Sequence, residues 1–561
     1  MSFAEKRWKL KTIDTSIAKK LCDDLRIHPL ICNMLSNRGI HTYDQAKAFF
    51  RPQLNELHDP FLMKDMDIAV ERILNSIKEN QKILIYGDYD VDGTTSVSIV
   101  YDFLSFIYPS HHIEYYIPDR YKEGYGLSLT GIEYAKTNGF SLLITLDCGI
   151  KSVELIQKAK DENIDTIVCD HHLPGNILPP AHAILNAKQP DCTYPYKELC
   201  GCGVGLKLIQ ALCIRLNLSN EFFEKYLDLA ATAIAADIVP ITGENRIISF
   251  HGLIKANKHP NIGIKALMEQ SNIKSDVSIN GLSFIIGPRI NAAGRMGDAK
   301  RAVALFIEKD LSKAKEIALT LQSENTNRKE ADSSITEEAL AQLQEDAHAH
   351  NKKTIVVFNE HWHKGVLGIV ASRLLEKFYK PTIVLTKSGE YYTGSARSIA
   401  GFNIYEGLDK CSHLLKAFGG HYFAAGMTIS PEHIEAFKNE FELFANEVLT
   451  EEDMIPEIEI DTEIQLKDIS ISFYHILQQM EPFGPENPKP VFCVRNVQNT
   501  GCRIVKEDHV RFEISQDGYR MNGIGFNLAN KFEEMHHPPY LDIAFTLEEN
   551  QYNGKTSLQM K

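Results

Sequence analysis

Between Lys82 and Asp237, the pattern of hydrophobic and polar positions switches repeatedly between one typical of strands and one typical of helices. Short apolar runs bounded by turn residues are separated by stretches whose apolar residues recur at helical intervals. Strands are predicted at Lys82–Tyr86, Ile113–Ile117, Ser141–Leu146 and Thr166–Cys169, with helices through Tyr101–Ile107 and at Ser152–Glu162. This order predicts an α/β fold with a doubly wound, mostly parallel sheet. Ligands of such sheets bind at the carboxyl ends of the strands.

The pattern outside this region is different. Short helices are predicted near the N-terminus, at Ile17–Leu25, Ile31–Arg38 and Tyr43–Phe50. Residues 299–349 are nearly free of Gly and Pro, which predicts one or two long helices that connect domains. A second, smaller α/β pattern follows, with strands at Thr354–Asn359, Thr382–Leu385 and Tyr391–Ala396 and helices at Gly368–Phe378 and after Asn403.

The C-terminal part begins with an acidic run and then reads as short strands. They are predicted at Ile455–Ile460, Pro490–Val497, Arg503–Ile514, Arg520–Phe526, Tyr540–Leu547 and Thr556–Met560, the last after a hairpin turn at Tyr552-Asn-Gly554. This succession predicts a small β-barrel of the OB type. The expected regions are an N-terminal helical segment (1–60), a catalytic α/β domain (61–270), a connector with a long helix (271–350), a smaller α/β domain (351–450) and the OB-like domain (451–561).

Composition is that of a folded protein with several domains. The chain has 561 residues, 44% of them hydrophobic and 24% charged, and a formal net charge of −14. This negative charge argues against a protein that binds nucleic acid non-specifically over its whole surface. Any basic residues that bind nucleic acid must therefore be clustered in one part of the surface. The 11 cysteines are an odd number in a long chain without a recognisable secretory signal, which predicts reduced thiols. They also lack two C-x₂-C pairs at zinc-ribbon spacing, which argues against a structural zinc. Without a membrane-length apolar run or a recognisable secretory signal, we expect a cytoplasmic location.

Three aspartates, Asp88, Asp90 and Asp92, follow the first strand at alternate positions. An extended backbone would project all three carboxylates to one side. The D-x-D-x-D-G pattern also opens an EF-hand calcium loop, but the twelfth position is Ile99 instead of Glu, and a strand precedes it. Solvated turn aspartates are the other alternative, although carboxylates so close together repel one another unless a cation lies among them. The pattern therefore favours a metal site.

Two more predicted strands end in residues of the same kind. Asp147 precedes a Gly turn, and Asp170-His171-His172 ends the next strand. Asp237 follows the helix-like run Leu227–Ala236 and needs tertiary folding to join them. Carboxylates with one or two imidazoles suit Mn²⁺ or Mg²⁺ better than Zn²⁺. Their number predicts two ions ~3.5–4 Å apart that clamp a phosphate and activate a water, the chemistry of phosphoester hydrolysis.

Basic residues are concentrated where they can contact phosphate. Arg289 and Arg295 lie among Gly and Asn in a segment predicted as a non-helical loop, which favours a ligand role. Lys300 and Arg301 start the connector and are expected to pair with acidic neighbours. Ser395-Ala-Arg397 ends a strand and offers a hydroxyl, a guanidinium and nearby amides to a terminal phosphate.

Two glycine-containing segments supply further candidates. Arg120 and Tyr125 lie in a Gly-rich loop between motif strands, where they would contact a phosphate and stack on a base, although Tyr is also common in cores. Gly419-Gly420-His421 lets the backbone approach a ligand closely, with a plain Gly turn as the alternative.

These residues resemble the motifs of the DHH phosphoesterase family. The resemblance is carried by Gly87-Asp-Tyr-Asp-Val-Asp-Gly93, Pro118-Asp-Arg-Tyr-Lys-Glu-Gly-Tyr-Gly126, Gly287-Pro-Arg-Ile-Asn-Ala-Ala-Gly-Arg295, His363-Lys-Gly-Val-Leu-Gly-Ile-Val-Ala-Ser-Arg373, Ser395-Ala-Arg-Ser398 and Gly419-Gly-His421. By this resemblance the metal ligands and catalytic residues would be Asp90, Asp92, Asp147, His171 and Asp237. Asp88 would support the site as a further metal ligand, and His172 would support it as a catalytic residue. Many family members carry a His where this chain has Tyr86, which leaves the ligand count of one site open.

The resemblance also implies an architecture and an activity. The architecture is a DHH domain joined by a long helix to a smaller DHHA1 domain, whose Gly419-Gly420-His421 turn would face the metals. The activity is that of a single-strand-specific 5′→3′ DNA exonuclease, releasing mononucleotides in recombination and repair. Ser395 and Arg397 would then hold the 5′-phosphate, and the barrel would bind single-stranded DNA.

The resemblance further implies cooperation with a single-strand-binding protein and a RecQ-type helicase, and we expect a monomer. Two other functions stay open. A DHH phosphodiesterase of short oligoribonucleotides or cyclic dinucleotides would need neither the barrel nor the connector. A catalytically silent binding protein would not need the full set of aspartates.

Overall fold

The computed structural model of the protein describes residues 6–346, 351–537, 540–552 and 555–561. The chain forms two compact units, which we describe separately. The first unit holds Ile40–Thr326 and Ile476–Lys489, and the second unit holds the chain up to Gly39, Asn327–His475 and Pro490–Lys561. The turn expected at Asn553 and Gly554 lies outside the described residues.

The bounds of the elements are as follows. The strands are β1 Arg7–Leu10, β2 Lys82–Gly87, β3 Ile113–Tyr116, β4 Phe140–Leu146, β5 Asp165–Cys169, β6 Ala183–Leu185, β7 Ile355–Asn359, β8 Thr382–Ser388, β9 Tyr391–Arg397, β10 Leu415–Gly420, β11 Ala424–Ile429, β12 Glu457–Ile460, β13 Thr462–Glu463, β14 Phe492–Val505, β15 His509–Gln516, β16 Tyr519–Gly525, β17 Tyr540–Phe545, β18 Leu547–Tyr552 and β19 Lys555–Met560. The helices are α1 Thr15–Leu25, α2 Pro29–Ser36, α3 Tyr43–Phe50, α4 Met66–Lys78, α5 Val91–Ile107, α6 Leu129–Thr137, α7 Val153–Asp161, α8 Gly201–Arg215, α9 Glu221–Glu224, α10 Leu227–Asp237, α11 Gly243–Lys258, α12 Ile262–Gln270, α13 Ile279–Gly281, α14 Gly287–Met296, α15 Lys300–Ile307, α16 Leu311–Glu345, α17 Leu367–Phe378, α18 Ile404–Lys410, α19 Ile434–Val448, α20 Ile471–Gln478 and α21 Phe532–His536.

The first unit is built on a sheet whose strand order is β3-β2-β4-β5-β6. Every pair in it is parallel. Ile83 and Ile85 of β2 pack into one apolar cluster, whereas Leu84 and Tyr86 pack into another. Because helices cover both faces, the strands read as continuous apolar runs. The predicted doubly wound parallel sheet is confirmed.

Two expectations about local structure in the first unit are wrong. The backbone after β2 is not extended through the aspartates, since Asp90 caps α5 and Asp92 lies in the first turn of that helix. The segment expected as a loop around Arg289 and Arg295 forms α14. Pro288 is tolerated in the first turn of a helix, and Gly294 allows close packing, because a Cβ there would lie 2.8 Å from the Tyr89 carbonyl oxygen.

The second unit contains a mixed sheet and a C-terminal sheet. The mixed sheet has the order β10-β11-β9-β8-β7, with β7 and β8 parallel and the other pairs antiparallel. In the C-terminal sheet, the start of β14 pairs with β13 and β17 and its end pairs with β15, so the sheet changes partners along one long strand. The order continues through β16 and β19 to β18. This is the partly open arrangement expected of an OB-type barrel.

Two further details of the second unit differ from the predictions. The strand expected at Arg503–Ile514 is divided between β14 and β15, because Lys506 and Glu507 adopt positive φ angles of 49° and 64° in the turn between them. In addition, β1 pairs in parallel with β12, whereas only helices were predicted near the N-terminus. Among the described residues, no helix combines the length and the apolar character that a bilayer span requires.

Candidate metal centre and phosphate-binding groups

Four side chains from separate elements meet at the carboxyl edge of the parallel sheet. His171 follows β5, Asp147 follows β4, and Asp237 ends α10. The Nε2 atom of His171 lies 3.1 Å from Asp147 Oδ1 and 3.6 Å from Asp237 Oδ2. The same nitrogen lies 3.7 Å from Asp92 Oδ2. The structure thus brings together side chains that are far apart in sequence.

Three more of the predicted site residues border this group. A ligand atom of His172 lies within 4.8 Å of ligand atoms of Asp147 and His171. Asp88 is fully buried and its Oδ1 accepts a hydrogen bond from Gly126 N at 3.3 Å. Asp90 Oδ1 caps α5. We call Asp88, Asp90, Asp92, Asp147, His171, His172 and Asp237 the acidic edge. Among the described residues, the groups that could hold a metal contain Asp92, Asp147, His171, His172 and Asp237, whereas metal binding by Asp88 and Asp90 stays a prediction.

The N-terminus of α8 fixes Asp92. Oδ2 of Asp92 accepts a hydrogen bond from Gly201 N at 2.6 Å, and Oδ1 accepts one from Cys202 N at 2.7 Å. The positive end of the helix favours a carboxylate at this place. A Cβ at Gly201 would lie 2.5 Å from Asp147 Cβ, so glycine is needed for α8 to approach both aspartates. Sequence analysis missed this role, although glycines recur every second residue at Gly201, Gly203 and Gly205.

The electrostatics of the acidic edge favour a cation. Burial raises the pKa of Asp147, and the carboxylates of Asp92 and Asp90 raise it further. Burial and the same two carboxylates raise the pKa of Asp237. Burial lowers the pKa of His171, although the charge of Asp92 opposes this. The edge therefore combines carboxylates that repel one another with an imidazole whose burial disfavours the protonated form, and both features favour a bound cation.

Asp170 orients the two histidines. Its Oδ1 accepts hydrogen bonds from His171 N at 2.7 Å and from His172 N at 3.1 Å. Oδ1 also lies 2.8 Å from His172 Nδ1. Burial alone would raise the pKa of Asp170, but the hydrogen bond and the charge of His172 lower it to about 2. Sequence analysis gave Asp170 no role of its own, although its position at the strand end was the available signal.

Tyr125 lies beside the acidic edge. Its hydroxyl donates a hydrogen bond to the Asp147 carbonyl oxygen at 2.9 Å and lies 3.3 Å from His172 Nε2. The residue is nevertheless 53% exposed to solvent. Tyr86 differs, because it is fully buried and its hydroxyl donates to the Gly126 carbonyl oxygen at 2.9 Å. The tyrosine that replaces the family's histidine is therefore engaged away from the ligand cluster.

The predicted basic residues of the first unit have different surroundings. The Arg120 guanidinium lies 4.7 Å from the centroid of the Tyr89 ring and forms no ion pair within the described ranges. Burial raises the pKa of Tyr89 to about 12, although the charges of Arg120 and Arg295 oppose this. Arg289 is 8% exposed and its Nε donates to Gln322 Oε1 at 2.7 Å.

The two basic residues at the start of α15 also differ from each other. Arg301 pairs with Glu324, as expected. Lys300 was expected to pair with an acidic side chain, but its Nζ lies over the Tyr116 ring, 5.3 Å from the centroid. Lys300 forms no ion pair with any side chain that the structure describes.

The candidate phosphate site of the second unit centres on Arg397. One terminal nitrogen of its guanidinium donates to Ser395 Oγ at 3.0 Å and to the Ala396 carbonyl oxygen at 2.8 Å. Burial lowers the pKa of Arg397, and the residue has no carboxylate partner in the part of the chain that the structure describes. A Cβ at Gly368, in the first turn of α17, would lie 2.8 Å from the other terminal nitrogen. A glycine therefore keeps this guanidinium close to a helix N-terminus.

The Gly419-Gly420-His421 segment ends β10 and begins the turn to β11. Gly420 has a φ of 155°, and a Cβ there would lie 2.4 Å from the Ala424 carbonyl oxygen. His421 N donates to that same oxygen at 2.8 Å, and the side chain of His421 is exposed. The glycine thus serves the turn itself, whereas a ligand role for His421 stays a prediction.

Comparisons with known proteins agree with this architecture. Models of the DHH family N-terminal domain, the DHHA1 domain and the RecJ OB domain match residues 82–234, 351–447 and 460–561. The chain is 37% identical to the single-stranded-DNA-specific exonuclease RecJ of Bacillus subtilis over 565 residues, which cover 100% of this chain and 71% of the relative. It is 31% identical to RecJ of Escherichia coli K12 over 556 residues, 95% of each chain. The chain belongs to the RecJ family.

A solved structure extends the likeness to the whole fold. The crystal structure of RecJ in complex with Mn²⁺ from Thermus thermophilus superimposes with a TM-score of 0.85 at 26% identity, over 99% of this chain and 78% of that one. The complex of the same RecJ with Mg²⁺ gives a TM-score of 0.79 at 25% identity, over 99% and 77% of the two chains. The α/β domains and OB-type sheet predicted from sequence are those of this family.

The acidic edge fits the divalent cations of these relatives. Asp88 Oδ2, Asp147 Oδ1 and both ring nitrogens of His171 are buried, and none forms a hydrogen bond within the described chain. Buried polar atoms without a partner are costly in a folded protein unless a ligand satisfies them. Carboxylate oxygens with one imidazole form the donor set that Mn²⁺ and Mg²⁺ accept. These residues are therefore suited to hold Mn²⁺ or Mg²⁺.

Proposed function

We propose that this chain is a single-strand-specific DNA exonuclease that acts in the 5′→3′ direction and releases mononucleotides by hydrolysis with two divalent ions. The observation that carries the proposal is the approach of Asp92, Asp147 and Asp237 to within 3.7 Å of one imidazole nitrogen. No lysine or arginine among the described residues forms an ion pair with these three carboxylates. Membership of a family of single-stranded-DNA-specific exonucleases supports the substrate.

The residues of the acidic edge have distinct tasks in this proposal. Asp88, Asp90, Asp92, Asp147, His171 and Asp237 would hold two Mn²⁺ or Mg²⁺ ions. When bound, such ions supply Lewis acidity and neutralise the charge that develops on the phosphate during hydrolysis. Asp170 fixes the ring of His172 through its 2.8 Å contact with Nδ1, so that His172 presents Nε2 near the Tyr125 hydroxyl. His172 is the side chain best placed to hold or move a proton beside the substrate.

In the first unit, Arg120 would contact a phosphate of the strand and Tyr125 would stack on a base. The guanidinium of Arg120 forms no ion pair among the described residues, although its charge acts on Asp88, and it can donate to a phosphate in its forked geometry. The exposed ring of Tyr125 offers a stacking face, while its hydroxyl bond to Asp147 holds the ring at the edge. Arg289 and Arg295 stay phosphate-binding candidates of α14.

The 5′-terminal phosphate would bind in the second unit. Ser395 Oγ and the Arg397 guanidinium, together with the amides at the start of α17, form a group of donors without a carboxylate among the described side chains. A terminal phosphate carries more charge than a backbone phosphate, so these donors would select a 5′-phosphorylated end. Gly419, Gly420 and His421 would contribute a close backbone approach and an imidazole to the same strand.

Several finer points belong to the same proposal. The OB-type sheet would bind the single strand, and a single-strand-binding protein and a RecQ-type helicase would supply it in recombination and repair. We propose a monomer that works in the cytoplasm, where its DNA substrate lies. The division of the chain at residues 60, 270, 350 and 450 is likewise proposed.

A substrate comparison tests the function. Purified enzyme with Mn²⁺ is given a single-stranded oligonucleotide labelled at its 5′ or its 3′ end, the matching blunt duplex, and a cyclic dinucleotide. We expect mononucleotides from the single strand alone, with the 5′ label released first. Rapid hydrolysis of the cyclic dinucleotide with little action on DNA would support the small-substrate alternative, and early release of the 3′ label would contradict the direction.

A further inference from the structure

Ile238, the residue directly after Asp237, combines three unusual properties. Its backbone is left-handed, with φ 60° and ψ 31°, at the C-terminal end of α10. Its side chain is β-branched, which makes this conformation a steric outlier. It is also 65% exposed, whereas Val239 and Ile241 on the same turn are 8% and 1% exposed.

Hydrogen bonds and close packing hold the turn that follows Ile238. The Pro240 carbonyl oxygen accepts a hydrogen bond from Asn245 Nδ2 at 3.0 Å, and Ile241 N donates to the Pro485 carbonyl oxygen at 2.9 Å. Gly484 packs so closely on this turn that a Cβ there would lie 2.5 Å from Ile241 Cγ1. With its far end fixed in this way, the turn after Asp237 has little freedom to relax.

The side chain of Ile238 is not part of the apolar core of this unit. It does not belong to the apolar cluster that contains Val239 and Ile241. A helix C-terminus in the left-handed conformation is best served by Gly or Asn, which tolerate a positive φ. Strain that persists in an over-determined position is typical of functional sites. An exposed isoleucine here therefore needs a reason outside the protein's own packing.

The position of Ile238 supplies that reason. Consecutive Cα atoms are ~3.8 Å apart, so Ile238 lies next to a residue whose carboxylate is 3.6 Å from His171 Nε2. We propose that Ile238 is a substrate-contact residue, whose side chain packs against the sugar or base of the nucleotide that has its phosphate at the acidic edge. The inference rests on the proposed function and adds an aliphatic contact to a site whose other proposed contacts are charged groups and the ring of Tyr125.

The test compares two substitutions of the same residue. Ile238→Asn removes the apolar side chain and fits the left-handed backbone, whereas Ile238→Val keeps a β-branched apolar group. For Ile238→Asn we expect kcat/KM on a single-stranded oligonucleotide to fall about tenfold, while Tm rises by about 2–4 °C. For Ile238→Val both quantities should stay close to those of the wild type. The affinity for Mn²⁺, measured by calorimetry, should be unchanged in both variants.

A second site controls for the relief of strain. Arg26 is exposed and also left-handed, with φ 53°, at the C-terminus of α1. Arg26→Gly should raise Tm without lowering kcat/KM. The inference is overturned if Ile238→Asn keeps the wild-type kcat/KM, if it lowers Tm, or if it weakens Mn²⁺ binding, since the last result would mean that Ile238 acts through Asp237. Failure of the proposed function would show in the wild type, which would leave the single strand intact.

Discussion

The acidic edge of the first unit and the Arg397 site of the second unit are electrostatic opposites. At the acidic edge, buried carboxylates surround an imidazole whose ring nitrogens form no hydrogen bond within the described residues. At the Arg397 site, a largely buried guanidinium forms hydrogen bonds only with a hydroxyl and a carbonyl oxygen among the side chains and backbone that the structure describes. Among the described residues, no lysine or arginine forms an ion pair with Asp92, Asp147 or Asp237, and no carboxylate forms one with Arg397. The acidic edge is suited to divalent cations, and this contrast is our reason for proposing an anion, the 5′-phosphate, at the Arg397 site.

Neutralising one carboxylate of the acidic edge should have the largest effect. Asp147 has a φ of 60°, which Asn tolerates, so Asp147→Asn keeps the shape of the site and removes a charge. We expect cleavage of single-stranded DNA to fall about a thousandfold or more, because a charged ligand of the metals is lost. In a chelating buffer, Tm should be equal to or above that of the wild type, since one of several repelling carboxylates is gone.

The matched control for this variant is Asp65→Asn. Asp65 also has a positive φ, 63°, and its Oδ2 accepts a hydrogen bond from Ile184 N at 3.1 Å, which an amide oxygen can replace. Cleavage by Asp65→Asn should match the wild type. Equal activity of Asp147→Asn and Asp65→Asn would remove the distinction between the acidic edge and an ordinary turn aspartate.

Removing the guanidinium of the Arg397 site should have a smaller effect that depends on the substrate. For Arg397→Ala we expect kcat/KM on a 5′-phosphorylated strand to fall about 10–100-fold, the worth of a charge-assisted hydrogen bond. The same strand with a 5′-hydroxyl serves as the control and should lose much less. Arg397→Lys should recover only part of the loss, because an ammonium lacks the forked donors. The same loss on both strands would contradict a 5′-phosphate site.

Tyr125 should show the smallest effect of the three, because it contributes stacking instead of charge. Tyr125→Ala should raise KM for single-stranded DNA about tenfold, since stacking on an aromatic ring is worth ~1–3 kcal/mol per base. Tyr125→Phe keeps the ring and loses the hydroxyl bond to Asp147, so KM should change by about twofold. If the phenylalanine variant is as impaired as the alanine variant, the hydroxyl bond matters and stacking does not.

The sequence predicts what depends on local pattern. Three short apolar runs precede Asp88, Asp147 and His171, and each run is followed by turn residues. Because the carboxyl ends of parallel strands lie at one edge of a sheet, this pattern predicts that the three residues come together. The role of α14 could not be predicted in this way, because Pro288 and Gly294 resemble loop residues until the neighbouring Tyr89 backbone shows why a glycine is needed.

Tertiary contacts also decide the residues that local pattern left without a role. Asp237 joins the site only because α10 ends beside His171, the second residue after β5, and no spacing in the sequence reveals this contact. Gly201 serves two aspartates at once through the start of α8, and Asp170 orients His172 by a contact between side chains. In each case the sequence gives the residue type and its chemistry, but it does not predict which residue lies in contact with it.

The most direct test of the account is the binding of Mn²⁺ to the metal-free protein, measured by isothermal titration calorimetry for the wild type and for Asp147→Asn. The acidic edge predicts two ions per wild-type chain and a weakened or lost site in the variant, with Arg397→Ala unchanged. Absence of Mn²⁺ binding to the wild type, or identical binding by wild type and Asp147→Asn, would contradict the claim that these carboxylates form a metal centre.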